Sequence, residues 1–217
     1  MVEIKVACHG MCHAACRACR FVCTIVSERI GYANEAWGAP SQLYRYLGDS
    51  NVDWGQSLYA VHDYLQKQRI HDCWIAWFGM GKAAQEGIPC QSLTGPFYLE
   101  ATDITLPPRL PDHFQGTVMI GAGLLDYSLY PYGKFFHRRP DAVVGGSFLV
   151  FHGSFEVPEV AAERAGARGW WLLNHNDGTD AIVELTAARK HALDPARVDS
   201  LLAWARAMAA RLSRKNR

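Results

Sequence analysis

The chain has 217 residues, of which 49% are hydrophobic and 20% are charged, and its formal net charge is +1. This length allows one substantial hydrophobic core, with or without a small appendage. A net charge so close to zero provides no electrostatic footprint for nucleic acid, so we expect no nucleic-acid partner. The longest apolar runs contain glycines and fall short of the about 20 residues that a membrane-spanning helix requires. No signal peptide is predicted, because Arg17 and Arg20 interrupt the only apolar stretch near the N-terminus.

The first 26 residues differ in composition from the rest, because five of the seven cysteines lie there among Ala, His and Arg. Such clustering is unlike the even spread of a disulfide-built fold. Cys12, Cys16 and Cys19 have the spacing by which three thiolates hold an iron–sulfur cluster, which makes them weak metal candidates. The repeated strand–helix units expected beside such a cluster are not evident, and no pair of ligands has zinc spacing. We therefore predict a non-native or disordered leader over 1–26, and no metal or cofactor.

The most unusual stretch is a polar, glycine-rich run at 48–56, whose last residues open a predicted helix from Trp54 to Gln68. Apolar residues recur along this helix at the spacing of one buried face: Trp54, Leu58, Val61 and Leu65. Asp53 is the predicted N-cap of the helix, and Gln56 stands three residues later, where it closes a capping box. Capping leaves Asn34, Asp49 and Asn51 unexplained. Short polar side chains grouped on a loop also suit a hydroxyl-rich ligand such as a sugar.

The same region carries a resemblance that extends from Tyr32 to Phe78, through GYANEAWGAPSQLYRYLGDSNVDWGQSLYAVHDYL and then CWIAWFG. It resembles one region of bacterial membrane glycosyltransferases that are similar to dolichyl-phosphate-mannose-protein mannosyltransferases and use polyprenyl-phosphate-linked sugars. In that family an Asn-Glu pair, a DSN-DWGQ run, a helix and a strand ending in YFG or WFG follow the last transmembrane helix. The resemblance continues more weakly along the chain and covers roughly residues 27–156.

The resemblance implies seven binding or docking residues: Asn34, Glu35, Asp49, Asn51, Asp53, Trp54 and Gln56. The catalytic acid of the family lies after its first membrane helix, a region with no counterpart in these 217 residues. We therefore expect a non-catalytic domain, truncated before the membrane part, on the extracytoplasmic face of a bacterial membrane. Its expected partner is the membrane-embedded glycosyltransferase domain, in the same chain or from a split gene. A glycan or a lipid headgroup is a further candidate partner, and whether the chain takes part in catalysis is left open.

Strand and helix patterns alternate over residues 27–156, which predicts an α/β domain with a small, mostly parallel sheet covered by helices. The predicted strands are Cys73–Phe78, Thr117–Ile120 and Phe148–His152, the last after a turn at Gly145-Gly146. Residues 88–113 contain five prolines and are predicted to be mainly loop.

Residues 157–217 are predicted to form an α-helical appendage with a basic tail. Three helices are expected, over Pro158–Leu173, Thr179–Leu193 and Pro195–Leu212, with a break at 174–178. The run from Ala187 to Pro195 resembles the second half of a degenerate tetratricopeptide repeat. A single repeat cannot bury its own apolar face, so this one must pack on the α/β domain or on other repeats.

We predict no catalytic residues. The sequence has neither G-x-S-x-G nor H-E-x-x-H, and capping accounts for Asp53 in a hypothetical Asp49–Asp53 carboxylate pair for glycoside hydrolysis. Three functions remain open. The chain is the glycosyltransferase domain described above, a stand-alone α/β binding module with a helical partner-binding tail, or a Cys-rich metal or redox protein.

Overall fold

A computed structural model describes Arg45 and residues 57–78, 83–93, 105–125 and 130–215. These residues form a five-stranded sheet and five α-helices, which confirms the α/β class. The strands are β1 (Cys73–Ala76), β2 (Gln91–Ser92), β3 (His113–Gly121), β4 (Ala142–Val144) and β5 (Phe148–Glu156). The helices are α1 (Leu58–Gln68), α2 (Gly133–Phe136), α3 (Pro158–Asn174), α4 (Gly178–Arg189) and α5 (Pro195–Lys215).

The sheet is mixed, so the prediction of a mostly parallel sheet is wrong. Its strand order is β2-β1-β3-β5-β4, with β1 parallel to β2 and β3, whereas β5 is antiparallel to β3 and β4. Gly145 and Gly146 adopt φ values of 58° and 73°, and this left-handed turn reverses the chain between β4 and β5. β5 then pairs with β3 along nine residues, which makes the antiparallel ladder the longest in the sheet.

Helix α1 covers one face of the sheet. Leu58, Val61 and Leu65 of α1 belong to the same buried cluster as Ile75 of β1 and Met119 of β3. These helical positions are the apolar face that the sequence predicted. Burial of each such side chain stabilises the fold by about 1.5–3 kcal/mol.

The start of α1 differs from the prediction. The helix begins at Leu58 and its N-cap is Ser57, so the capping role assigned to Asp53 and Gln56 is wrong. Ser57 does not cap through its own side chain, because its hydroxyl is used in contacts with the β4–β5 turn. Asp53 and Gln56 lie outside the described residues.

Aromatic side chains fill the opposite face of the sheet. Phe135 of α2 lies with its ring centroid 5.0 Å from that of Phe151 and 5.3 Å from that of Phe155, both on β5. Tyr132, which precedes α2, is completely buried in the same cluster, and so is Val160 of α3. The aromatic segment around α2 is therefore part of the core, and the first turns of α3 pack on the sheet.

Helices α3, α4 and α5 form a third buried cluster, centred on Leu173, Leu185 and Leu202. Their bounds agree with the predicted helices to within four residues, and the predicted break lies at the turn before Gly178. Across the part of the chain that is described, no helix is both long and apolar enough to cross a membrane.

Gly178 of α4 lies directly against the backbone of α5, and we expect Gly178→Ala to destabilise the fold by about 1–3 kcal/mol. A Cβ at this position would lie 2.8 Å from the backbone oxygen of Ala205 and 3.0 Å from the backbone nitrogen of Ala209. Backbone atoms cannot move unless α5 shifts, so the clash outweighs the higher helix propensity of alanine. Urea unfolding measures the change. Thr179→Ala, at the exposed neighbouring position, should change stability by less than about 0.5 kcal/mol.

Candidate functional site

The seven binding or docking residues predicted from the sequence all lie outside the described residues: Asn34, Glu35, Asp49, Asn51, Asp53, Trp54 and Gln56. Cys12, Cys16 and Cys19 of the leader lie outside them as well. The structure describes the chain from Ser57, the residue that follows the motif, and the strands near Ser57.

Ser57 joins the end of the motif to the β4–β5 turn. Its Oγ donates a hydrogen bond to the Gly145 oxygen at 3.2 Å and accepts one from the Ser147 Oγ at 3.0 Å. A Cβ at Gly145 would lie only 2.7 Å from the Cβ of Ser57, so the two backbones approach as closely as glycine permits. The Ser147 oxygen also accepts a hydrogen bond from the Ala122 nitrogen, just after β3, at 2.7 Å. Ser57, the residue after the motif, therefore lies at the edge of the sheet where β3 ends.

This edge holds the carboxyl ends of the parallel strands β1 and β3, which is where ligands usually bind in open α/β sheets. Trp77 follows β1 directly, and its backbone lies 3.4 Å from the position of a Cβ at Gly121, the last residue of β3. The Trp77 Nε1 is buried and has no hydrogen-bond partner among the described residues. A buried N–H without an acceptor costs about 1–3 kcal/mol, so Trp77 carries a donor that no described residue satisfies. Sequence reasoning did not single out Trp77.

Cys73 and Cys90 form a disulfide, with Cα atoms 4.4 Å apart. Cys73 begins β1 and Cys90 precedes β2, and the pairing of Trp74 with Gln91 brings the two thiols together. Both residues are buried. This pair was not predicted from the sequence, in which five of the seven cysteines cluster in the leader. The signal available was that only two cysteines lie outside the leader, each beside a buried segment.

Two hydroxyl–imidazole pairs lie along the β3–β5 ladder, one at its middle and one near the end that is opposite to Ser57. The Thr117 Oγ1 is 3.1 Å from the His152 Nδ1, and the Ser154 Oγ is 3.0 Å from the His113 Nε2. A nucleophile and a base at such distances also require a third group that orients the base. Within the described part of the chain no carboxylate bonds either imidazole, since Asp141 accepts from the His152 backbone nitrogen instead. These pairs are therefore not assigned a catalytic role.

A cluster of charges, which we call the Arg–Glu clasp, ties Arg109 to helices α3 and α4. The Glu184 Oε1 accepts hydrogen bonds from the Arg109 Nε at 3.0 Å and Nη2 at 2.8 Å, and from the Arg168 Nη2 at 2.9 Å. Arg168 also donates to the Pro107 oxygen. The side chains of Glu184 and Arg168 are only 5% and 11% exposed, whereas that of Arg109 is 70% exposed.

The clasp changes the pKa of its carboxylate. Burial alone would raise the pKa of Glu184, but hydrogen bonds from Arg168 and Arg109 and their positive charges outweigh burial, so the pKa is lowered. Glu184 is therefore held in its charged form. The sequence offered no pattern for this cluster, because Arg109 and Glu184 are 75 positions apart.

Among the residues that the structure covers, no group of three or more His, Cys, Asp or Glu is arranged to hold a metal ion. Comparison with known proteins found no family model, no curated protein and no solved structure that matches the chain.

Proposed function

We propose that the chain is a non-catalytic extracytoplasmic domain of a membrane glycosyltransferase that transfers sugar from a polyprenyl-phosphate donor. In this proposal the motif at 48–56 docks on the membrane-embedded catalytic part or contacts the glycan or lipid headgroup beside it. The resemblance from Tyr32 to Phe78 is the reason for proposing this class of enzyme. The disulfide between Cys73 and Cys90 is the structural observation that carries the proposal.

The disulfide supports the extracytoplasmic location because disulfides persist in oxidising compartments and are rare in the reducing cytosol. Cys73 begins β1 and Cys90 directly precedes β2, so the bond lies within the proposed domain rather than in the leader. It closes the loop between the first two strands of the sheet.

The anchoring of Ser57, the residue that follows the motif, supports a docking role. Ser57 is held at the carboxyl edge of β1 and β3 by hydrogen bonds to the β4–β5 turn. Polar side chains on a loop at this edge are well placed to receive a ligand or a partner chain. Since α1 begins at Leu58 with Ser57 as its N-cap, capping of α1 does not account for Asp53.

We expect replacement of Asn34, Asp49 and Asn51 by alanine to abolish sugar transfer by a membrane glycosyltransferase that carries this domain. The melting temperature of the isolated chain should stay unchanged, because these residues are proposed to contact a partner rather than the core. Two quantities are measured for each variant. They are the transfer of sugar from a polyprenyl-phosphate donor by the enzyme and the melting temperature of the isolated domain.

The matched control replaces Asp63, Gln66 and Gln68, three exposed polar residues of α1, by alanine and should preserve transfer. Full transfer activity in the motif variant would end the proposal. An equal fall in transfer and in melting temperature would make the motif structural.

A second candidate is a stand-alone binding module that uses its helical tail as a partner surface. The observation that favours it is exposed apolar area on α4 and α5: Val183, Trp204 and Leu212 are 58%, 42% and 45% exposed. The tetratricopeptide-like run from Ala187 to Pro195 covers the last turn of α4 and the connection to the first residue of α5. Replacement of Trp204 by Ser separates the candidates, since it would impair partner binding by the module and leave sugar transfer intact.

A further inference from the structure

A cleft of about 320 Å³ lies between α3, α4 and the segment that carries Arg109 and Leu110. This volume is near the lower end of the range for sites that bind small molecules, which is about 300–1,000 Å³. One wall consists of short apolar side chains, including Pro158, Ala161 and Ala187. Alanines at these positions leave space that larger side chains would fill. The cleft is at the opposite end of β3 from the motif edge, so it is independent of the function proposed above.

The charged side chains around the cleft are mainly cationic. Four of them are Arg or Lys and two are acids, namely Arg109, Arg164, Arg168, Lys190, Asp112 and Glu184. Glu184 already accepts three hydrogen bonds from the clasp arginines, so it offers little to a cationic ligand. The excess of positive charge favours an anion.

Buried arginines make this preference stronger than an ordinary surface patch would. Arg164 is 5% exposed and donates to the Ser92 oxygen at 3.1 Å. Arg168 is nearly as buried, and its Nε has no hydrogen-bond acceptor among the described residues. Guanidinium groups bind carboxylates and phosphates through paired N–H donors, and such bonds strengthen where water is excluded.

The clasp has a structural role, because it ties Arg109 and Pro107 to the helices. That role explains Arg109, Arg168 and Glu184, but not the alanine-lined space or Lys190 at its rim. We propose that this cleft binds a small organic anion in which a carboxylate or phosphate group is joined to a compact apolar group. The anionic group lies toward Lys190 and the arginines, and the apolar group lies against the alanine wall.

Calorimetric titration of the full chain tests the proposal with four probes: benzoate, phenyl phosphate, benzyl alcohol and inorganic phosphate. We expect benzoate or phenyl phosphate to bind at one site per chain. The Kd of the anion that binds should be about tenfold lower than that of benzyl alcohol, because one charge-assisted hydrogen bond provides about this factor. Inorganic phosphate should bind more weakly than phenyl phosphate, because it makes no contact with the wall. The stronger of the two aromatic anions identifies the anionic group. Absence of binding by both, or equal binding of benzyl alcohol, overturns the proposal.

Two variants locate the site. Lys190→Glu reverses a charge at the rim without removing a clasp contact, and it should weaken binding of the aromatic anion about fivefold. Lys67→Glu makes the same change at the exposed end of α1 and should leave the Kd unchanged. Ala187→Leu fills the wall without a change of charge, so it should weaken the aromatic anion more than inorganic phosphate. Equal affinities in wild type, Lys190→Glu and Ala187→Leu, with melting temperatures preserved, would also refute this site.

Discussion

Reduction of the Cys73–Cys90 disulfide is expected to lower the free energy of unfolding by about 3 kcal/mol. The bond joins residues separated by 17 positions, and closure of a loop of that length restricts the unfolded chain by roughly this amount. A chain of this size should lose about 10 °C in Tm. The measurement is urea or thermal unfolding with and without a phosphine reductant.

Cysteines of the leader provide the control for this experiment. A variant with Ser at Cys8, Cys12, Cys16, Cys19 and Cys23 should keep the full response to reductant, since the leader is predicted to contribute no stability. The Cys73→Ala/Cys90→Ala variant should be as unstable as the reduced protein and should not respond to reductant. If the leader variant loses the response instead, the stabilising bond involves the leader, and the prediction of a dispensable leader fails with it.

The helices were predictable from the sequence because their signals are local. Pro158 at the first position of α3 and the polar break before α4 mark boundaries that depend only on neighbouring residues. At the start of α4 the Asp177 side chain accepts a hydrogen bond from the Asp180 nitrogen, a contact across three positions. The same local reasoning misplaced the start of α1, because Ser57 is held by residues about 90 positions away.

The relative direction of the strands in the sheet was not predictable from such local signals. β2 and β4 contain two and three residues, too few for an alternating pattern, so residues 88–113 were predicted to be mainly loop. Without β4, the Gly145–Gly146 turn gave no indication of a hairpin, and the antiparallel half of the sheet was missed. The disulfide and the clasp were not predicted for the same reason, because each joins groups that are distant in sequence. A binding role was predicted for the polar residues that precede α1, but not for Trp77 or for the residues of the cationic cleft.

Glu184→Gln is the substitution with the other large expected effect, a loss of about 3 kcal/mol in the free energy of unfolding at neutral pH. Removal of the carboxylate charge leaves the guanidinium of Arg168, which is 11% exposed, without its charged partner. Breaking a buried ion pair in this way typically costs about 3–5 kcal/mol. We expect the lower end of that range, because Arg109 is 70% exposed and water solvates it when the pair is broken.

The matched control is Glu159→Gln, which breaks the ion pair of Glu159 with Lys134. Their Nζ–Oε1 distance is 2.7 Å, similar to those in the clasp, but the lysine side chain is 46% exposed. Because solvent screens this pair, its loss should cost at most about 1 kcal/mol. Equal losses in the two variants would show that burial of the clasp contributes nothing to its strength.

The dependence on pH distinguishes loss of charge from a general disruption of packing. The pKa of Glu184 is lowered in the folded protein, so its stabilising contribution is complete above its ordinary pKa of about 4.3 and is lost as pH falls toward the folded value. The difference in stability between wild type and Glu184→Gln should therefore be constant from pH 7 to pH 5 and shrink by pH 3. Glu163, whose pKa burial raises, contributes with the opposite sign but is present in both proteins and cancels in the difference. Urea unfolding at pH 7, 5 and 3 measures this, and a difference that persists undiminished at pH 3 would mean that the substitution disturbs packing rather than charge.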